Sequence, residues 1–330
     1  MEPKTENNTS LQNARDAVQL CNVAIDTNPV KNIGTLMPGW KIVWNGGQVT
    51  DPNYAFVAID VTGQKYALAI RGSVVPSDVF NQWDVFVDWV LEDLDVALAY
   101  WPFASTAMPC ISAGAYVAFT SLLLMQDTMG SGQSLADFLI THTAKQGKEL
   151  IITGHSLGGN MANVYASYYA ETLKRKGLPL NNISLFTFAA PAPGNSDFAK
   201  DLDAKLPTAY HYQNLNDVVP YFPVAEGLAA TGNLYNPHPA ASAIKVTFNH
   251  KQITLQSAFQ LLGELFLLAG YQQPKKNYIT FTAKLFPELE KDNIQDWLGQ
   301  AGFQHQLFNY ANYLGVTLPA HAKKPVAQTV

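Results

Sequence analysis

A serine flanked by glycines, set between an apolar strand and a helix, constrains this chain more than any other feature. The motif Gly154-His-Ser-Leu-Gly158 follows the short buried-strand pattern Glu149 to Thr153. The helical pattern from Leu157 to Lys176 ends on basic residues before Gly177, as helix C-termini often do. A turn this sharp crowds the residues two before and two after the serine, and both are glycine. The pattern predicts a nucleophile elbow at Ser156.

Such a turn would give the serine a specific chemistry. It would lift the hydroxyl of Ser156 to the N-terminus of the helix, where the helix dipole stabilises negative charge. The backbone N–H of Leu157 would then face the oxygen that becomes an oxyanion in acyl transfer. A chance match in a glycine-rich turn is the alternative, and the flanking strand and helix favour the nucleophile.

Strand and helix patterns alternate along the chain. Strands are predicted at 40–44, 54–59, 65–70, 149–153, 183–190 and 209–215, and helices at 10–25, 157–176 and 196–205. The later strands are continuously apolar, which is typical of a parallel sheet covered by helices on both faces. Neither an internal repeat nor a linker-like stretch divides the sequence. We therefore expect one α/β domain over residues 1–330.

The composition excludes several classes of protein. Charged residues make up 14% of the chain, against about 25% in an average soluble protein. A net charge of −5, with no basic run longer than three residues, disfavours nucleic-acid binding. Hydrophobic residues at 48% exclude disorder, and two cysteines cannot form a disulfide scaffold. The sequence has no metal-ligand spacing, so no metal or other cofactor is expected.

Neither a membrane span nor a leader is expected from the sequence. The charge-free stretch from Val96 to Gln126 is interrupted by prolines, serines and glycine, whereas a spanning helix needs about 20 mostly apolar residues. The segment from Met1 to Asn8 is polar, so it does not read as a signal peptide. Secretion and a cytoplasmic location both stay open.

The few charged residues are unevenly distributed along the chain. No Lys or Arg lies between Arg71 and Lys145, and the acids in this gap are Asp78, Asp84, Asp88, Glu92, Asp93, Asp95, Asp127 and Asp137. Within residues 80–98, one helical face would be apolar: Trp83, Phe86, Val87, Val90, Leu91 and Leu94. This helix could be a lid over an apolar cleft or a fixed part of the core. The acidic surroundings favour neutral esters over anionic surfaces as substrates.

Four segments in order resemble the class 3 lipase family. They are 70–73 with 88–94, then 153–159, 186–195 and 214–220. Two departures from the family pattern are Ala189 in place of a usual glycine and Pro193 at a variable position, and a third is 111–116, which lacks a common His-x-Gly-Phe. The resemblance implies an α/β-hydrolase fold: a mostly parallel central sheet, helices on both faces and a lid helix at 80–98. It also implies that Ser73 supplies the second oxyanion N–H.

A serine nucleophile needs a base and an orienting acid, in the chain order Ser, Asp, His for this fold. Asp217 follows the strand 209–215, at the carboxyl end where sites form, and the resemblance places the family's catalytic Asp there. Asp197 is an alternative candidate for the acid, but its place is typical of an ordinary acidic residue in the first turn of a helix.

The base is less certain from sequence. Four of the seven histidines are unsuitable by position, within the elbow, before it, inside a strand or in the polar tail: His155, His142, His211 and His321. His305, His250 and His238 remain. The resemblance favours His305, at the start of a final helix with Tyr310 five residues on. The long gap between Asp217 and His305 implies an insertion within 225–295.

Together these features predict a serine carboxylester hydrolase with the triad Ser156, Asp217 and His305. The best description is a triacylglycerol lipase for neutral acyl esters. Its partners would be a small ester or lipid and a lipid–water interface. Phospholipase A1 and feruloyl-type esterase activity are alternatives on the same machinery. A hydrolase-like domain that binds without catalysis is the alternative of a different class.

Overall fold

A twisted sheet of seven strands organises the computed structural model, which describes residues 8–47, 53–71, 80–88 and 95–319. The strands are β1 (Trp40–Asn45), β2 (Tyr54–Asp60), β3 (Lys65–Arg71), β4 (Leu98–Tyr100), β5 (Cys110–Ser112), β6 (Glu149–His155), β7 (Ile183–Phe188), β8 (Gly194–Asn195), β9 (Ala209–Asn214), β10 (Lys245–Phe248), β11 (Lys251–Thr254), β12 (Tyr271–Gln272) and β13 (Tyr278–Phe281). The helices are α1 (Asn8–Ala24), α2 (Pro29–Leu36), α3 (Trp83–Asp88), α4 (Ala113–Leu124), α5 (Leu135–His142), α6 (Leu157–Arg175), α7 (Ser196–Lys205), α8 (Ala225–Thr231), α9 (Leu255–Phe266), α10 (Ile294–Gln304) and α11 (Leu307–Tyr313).

The central sheet runs in the order β1-β2-β3-β6-β7-β9-β13. The first three strands are antiparallel, and β3, β6, β7, β9 and β13 are parallel. The predicted α/β fold with a mostly parallel sheet is therefore confirmed. Arg71 pairs with His155, and His155 pairs with Phe188. The carboxyl ends of β3, β6 and β7 thus lie side by side at one edge of the sheet.

Both faces of the sheet are buried, which explains why its central strands are continuously apolar. Along β6, Leu150 and Ile152 face a core that includes α4, α5 and α6. Ile151, between them, faces a second core that includes α1, α2 and α11. Successive side chains of a strand point to opposite faces, so one apolar run supplies both layers.

The segment 225–295, where an insertion is expected, contains a group of short elements and one strand of the central sheet. Its first part forms α8, β10, β11, α9 and β12, and a third apolar core around Phe86, Phe259 and Trp297 holds it together. Residues Tyr278–Phe281, within the same segment, pair in parallel with β9 and extend the central sheet. This strand is not among those predicted from the sequence. β13 is short, and none of its side chains is fully buried.

The charge-free stretch that prompted the membrane check forms β4, β5 and α4. The helix α4 has 12 residues. Within the described ranges, every helix is too short or too polar to cross a bilayer.

Of the candidate lid at 80–98, the structure describes 80–88 and 95–98. The first piece contains α3, which buries Trp83 and Phe86. The second leads into β4. Residues 89–94, which carry the rest of the predicted apolar stripe, lie outside the described ranges.

Candidate active site

The strand–turn–helix predicted around Ser156 is present. Ser156 lies between β6 and α6 with φ 59° and ψ −131°, a left-handed φ that non-glycine residues seldom adopt. Its N–H donates to the carbonyl of Phe188 in β7 at 2.9 Å. A Cβ on Gly154 would lie 2.1 Å from the carbonyl oxygen of Gly158. The close approach of helix to strand therefore requires glycine there and holds the serine in its strained conformation.

The three residues predicted as a triad lie in hydrogen-bond contact. The hydroxyl of Ser156 donates to Nε2 of His305 over 2.8 Å. Nδ1 of His305 donates to Asp217, 2.9 Å from Oδ2 and 3.1 Å from Oδ1. All three side chains are buried. A hydroxyl, an imidazole and a carboxylate in this order can pass the serine proton to the imidazole while the carboxylate orients the ring.

Asp217 accepts two further hydrogen bonds. The backbone N–H of Val219 donates to Oδ1 at 2.9 Å, and the hydroxyl of Tyr310 donates to Oδ2 at 2.6 Å. A fully buried carboxylate is costly unless its oxygens are hydrogen-bonded. Val219, Tyr310 and His305 supply these bonds and fix the direction in which the carboxylate faces the imidazole.

His305 lies between two helices, contrary to the prediction that it opens the final one. It is the C-cap residue directly after α10, and Gln306 separates it from α11. The stretch Gln304-His305-Gln306 contains no Gly or Pro to mark this break. A junction between helices still presents the ring at a defined angle, because packing fixes the helix on each side.

His155, set aside as a base, contacts the backbone of His305. Its Nε2–H donates to the carbonyl oxygen of His305 at 2.9 Å, and the two rings are 4.8 Å apart. Burial, together with the smaller effect of the neighbouring His305, lowers the pKa of His155 from 6.5 to about 3. His155 is therefore neutral at ordinary pH, with its proton on the nitrogen that faces the carbonyl. Sequence reasoning missed this contact, since nothing local indicates which residue a buried ring meets.

Asn214 ties the strand of the acid to the helix of the base. Its Nδ2 donates to the Gln304 carbonyl at 3.1 Å and to the Gln304 side chain at 2.8 Å. Its Oδ1 accepts from the N–H of Ala283 at 3.0 Å. Asn214 is fully buried at the end of β9, so it links β9, α10 and the segment after β13. Nothing in the local sequence indicates this role beyond the place of Asn214 three residues before Asp217.

One of the two predicted oxyanion donors can be located. Leu157 is the first residue of α6, and the first N–H groups of a helix have no partner within it. Its N–H is therefore available beside the hydroxyl of Ser156. Ser73 lies in 72–79, outside the described residues, so the second predicted donor stays a prediction.

The other described histidines lie elsewhere. His238 pairs with Asp292 at 3.1 Å on the surface, and His250 lies in the turn between β10 and β11. His211, in β9, is buried and hydrogen-bonds to Thr187 at 2.8 Å. Among the six histidines that the structure describes, His305 is the one hydrogen-bonded to Ser156. The part of the chain that the structure describes contains no cluster of three His, Cys, Asp or Glu side chains suited to a metal ion.

The described part of the lid candidate contacts the site. The ring of Phe80 lies 5.8 Å from that of His305 and 6.2 Å from that of Phe86. A Cβ on Gly302 would come within 2.9 Å of the Cβ of Phe80, so Phe80 packs closely on α10. Phe80, three residues before α3, therefore lies against the imidazole.

Comparison with known families agrees with this geometry. A sequence model of the family described as "Lipase (class 3)" matches residues 67–227, which include the elbow and Asp217. Over these residues the chain belongs to the class 3 lipase family. It is a family of hydrolases, and lipid esters are the substrate class that the family implies.

Curated relatives match this lipase domain over part of their length. The chain is 35% identical over 81 residues to "Secreted mono- and diacylglycerol lipase 1" of Fusarium solani, covering 24% of this chain and 22% of that protein. It is 28% identical over 183 residues to "Phospholipase A1-II 1" of Oryza sativa subsp. indica, covering 51% and 44%. The chain thus spans less than half the length of these relatives.

Solved structures share the fold. The crystal structure of M37 lipase superposes with a TM-score of 0.70 at 22% identity, covering 94% of this chain and 93% of that one. "Lipase II from Rhizopus niveus" gives 0.51 at 17% identity, covering 67% and 78%. At such identities the likeness is one of fold.

The crowding at the elbow predicts a stability difference between two glycine substitutions. Gly154→Ala would force a Cβ against backbone, so we expect the free energy of unfolding to fall by more than about 3 kcal/mol. Gly34→Ala, in α2 with nothing within 4 Å of the new Cβ, should raise it by up to about 1 kcal/mol. Urea unfolding followed by circular dichroism measures both. Equal effects would contradict the crowding.

The buried histidines predict acid sensitivity. Burial lowers the pKa of His211, like that of His155, from 6.5 to about 3. The unfolded chain therefore binds more protons than the native one below pH 6.5. The stability is complete above that pH and is lost progressively as the pH falls toward 3.

The measurement is the free energy of unfolding of the wild type and of His211→Asn at several values between pH 6 and 4. The variant should show a slope lower by up to about 1.4 kcal/mol per pH unit. Carboxylates are common to both proteins, so their contribution cancels. Parallel slopes would show that native His211 takes up its proton freely.

Proposed function

We propose that this protein is a serine carboxylester hydrolase, specifically a triacylglycerol lipase acting on neutral acyl esters. The observation that carries the proposal is the unbroken hydrogen-bond chain from Ser156 through His305 to Asp217. Membership of the class 3 lipase family supports the reaction class.

The geometry suits a two-step acyl transfer. Ser156 Oγ attacks the ester carbonyl while Nε2 of His305 takes its proton, and Asp217 stabilises the imidazolium. The oxyanion is held by the N–H of Leu157 and, by family resemblance, that of Ser73. His305 then protonates the departing alcohol. Water, deprotonated by His305, attacks the acyl-enzyme, and the carboxylic acid leaves as Ser156 regains its proton.

The choice of neutral substrates rests on charge. The chain from 72 to 144 contains no Lys or Arg, and this segment includes the lid candidate beside His305. A like-charged surface repels an anionic head group, whereas a triacylglycerol carries no charge. The similarity to a mono- and diacylglycerol lipase over 81 residues is consistent with neutral glycerides.

Phospholipase A1 activity is the second candidate, favoured by the 183-residue match to a rice phospholipase A1. The charge argument predicts that emulsified trioctanoylglycerol is hydrolysed at least about tenfold faster than phosphatidylglycerol, whose head group is anionic, with zwitterionic phosphatidylcholine between them. The measurement is titration of the released fatty acid on each substrate at equal interfacial area. Preferential release of the sn-1 chain from phospholipids would instead establish the second candidate.

The base assignment predicts a large difference among three variants. His305→Ala should lower kcat on a soluble p-nitrophenyl ester by at least about a thousandfold, because the serine then has no proton acceptor. His250→Ala and His238→Ala should keep near wild-type turnover, since neither contacts Ser156. If His250→Ala were the inactive variant, the assignment of His305 would be wrong.

An organophosphate tests the nucleophile directly. It should label the wild-type protein at Ser156, as mass spectrometry of the peptide can show, and should not label Ser156→Ala. A folded wild-type protein that took up no label would be a binding domain without catalysis.

A further inference from the structure

The helix α9 is buried along one face and carries exposed leucines on one flank. Leu261, Leu265 and Leu268 are exposed over 41%, 62% and 98% of their surface, and Leu268 lies in the turn that continues α9. Their spacing of four and three residues places them on one side of the helix. Leu267 beside them is 60% exposed. Exposed leucines this close together form an apolar patch rather than scattered surface residues.

Packing explains why this flank is open. α8 lies against the opposite flank, where a Cβ on Gly263 would come within 2.7 Å of the Ala225 carbonyl. The inner face of α9 buries Phe259 and Leu262 in the third core. The contacts with α8 and with the third core therefore leave the leucine flank on the outside. The helix is held without burial of this flank.

The leucine flank belongs to the element that supports the lid candidate. Phe259 of α9 lies 5.9 Å from Trp83 and 6.3 Å from Phe86, ring to ring. Just after the flank, the hydroxyl of Tyr271 donates to the carbonyl of Val96 at 2.7 Å. α9 and Tyr271 thus contact the lid candidate on both sides of its undescribed part. Through Phe86 and Phe80 the contacts continue to His305.

The charge around the flank restricts the partner. From Gln252 to Pro274 the only charged residue is Glu264, which is exposed on α9. An anionic bilayer is attracted by Lys and Arg, and this segment has neither. Protein interfaces centre on Trp, Tyr and Arg and bury about 1,200 Å² or more. Protruding leucines without such anchors suit a fluid apolar layer, into which side chains can insert without a complementary surface.

We propose that the leucine flank of α9, comprising Leu261, Leu265, Leu267 and Leu268, inserts into a neutral or zwitterionic lipid surface. It holds the protein at the substrate aggregate with the lid candidate beside that surface. The role in catalysis rests on the proposed function, whereas binding to lipid does not.

Binding is tested in Ser156→Ala, which cannot hydrolyse the probe. Sedimentation with phosphatidylcholine vesicles should show that Leu268→Ser binds more weakly and Leu265→Ser/Leu268→Ser at least about tenfold more weakly, since each lost leucine removes apolar contact. Val61→Ser is the matched control: Val61 is 82% exposed, in the β2–β3 hairpin at the end of the sheet opposite Ser156. It should bind as its parent does. Phosphatidylserine in the vesicles should not strengthen binding.

Activity supplies the second readout, and it is measured in proteins that retain Ser156. The double leucine variant should keep its kcat/KM on a soluble p-nitrophenyl ester and lose about tenfold on an emulsified triacylglycerol. Unchanged vesicle binding by the double variant, or none by its parent, would overturn the proposal. So would a dimer in light scattering that this variant dissociates, because the flank would then bind a second copy. If the wild type failed on the soluble ester, the proposed function would fall while vesicle binding still decided the role of the flank.

Discussion

The close approach of α6 to the end of β6 is the constraint on which the rest of the site depends. Gly154 and Gly158 meet at a distance that leaves no room for a Cβ, and Ser156 between them is held at a positive φ. That strain is tolerable because the strand is anchored in apolar cores on both faces of the sheet and the helix in one of them. The serine hydroxyl is thereby held in one place, within hydrogen-bond distance of the imidazole of His305.

Asp217 and His305 lie outside strands and helices, and buried hydrogen bonds hold them in position. Asp217 follows β9 and accepts from Val219, His305 and Tyr310. His305, between two helices, is fixed through its carbonyl by His155, and Asn214 clamps the adjoining Gln304 to β9. Buried polar groups left without partners are costly. The same bonds that satisfy these groups therefore align the proposed proton path.

Much of this architecture could be predicted, because strands and helices with strong apolar periodicity and clear turn or capping residues are encoded locally. The strand predicted to end at residue 190 ends at Phe188, since Ala189 adopts a positive φ. β13 was missed because its four residues pack at the margin of the sheet and show no buried apolar run. His305 was placed at a helix start because the junction between α10 and α11 lacks the residues that usually mark a break.

The elbow at Ser156 and the position of Asp217, the proposed acid, could be predicted from the local sequence. The first is encoded by glycines that a strained turn requires, and the second by its place after a parallel strand. The contact that distinguishes His305 from His250 and His238 arises only in the folded molecule, because it depends on side chains about 90 residues apart that pack β9 against α10. The fold also sets which flank of α9 remains exposed. An apolar run shows that a helix is hydrophobic, but its neighbours determine which side they cover.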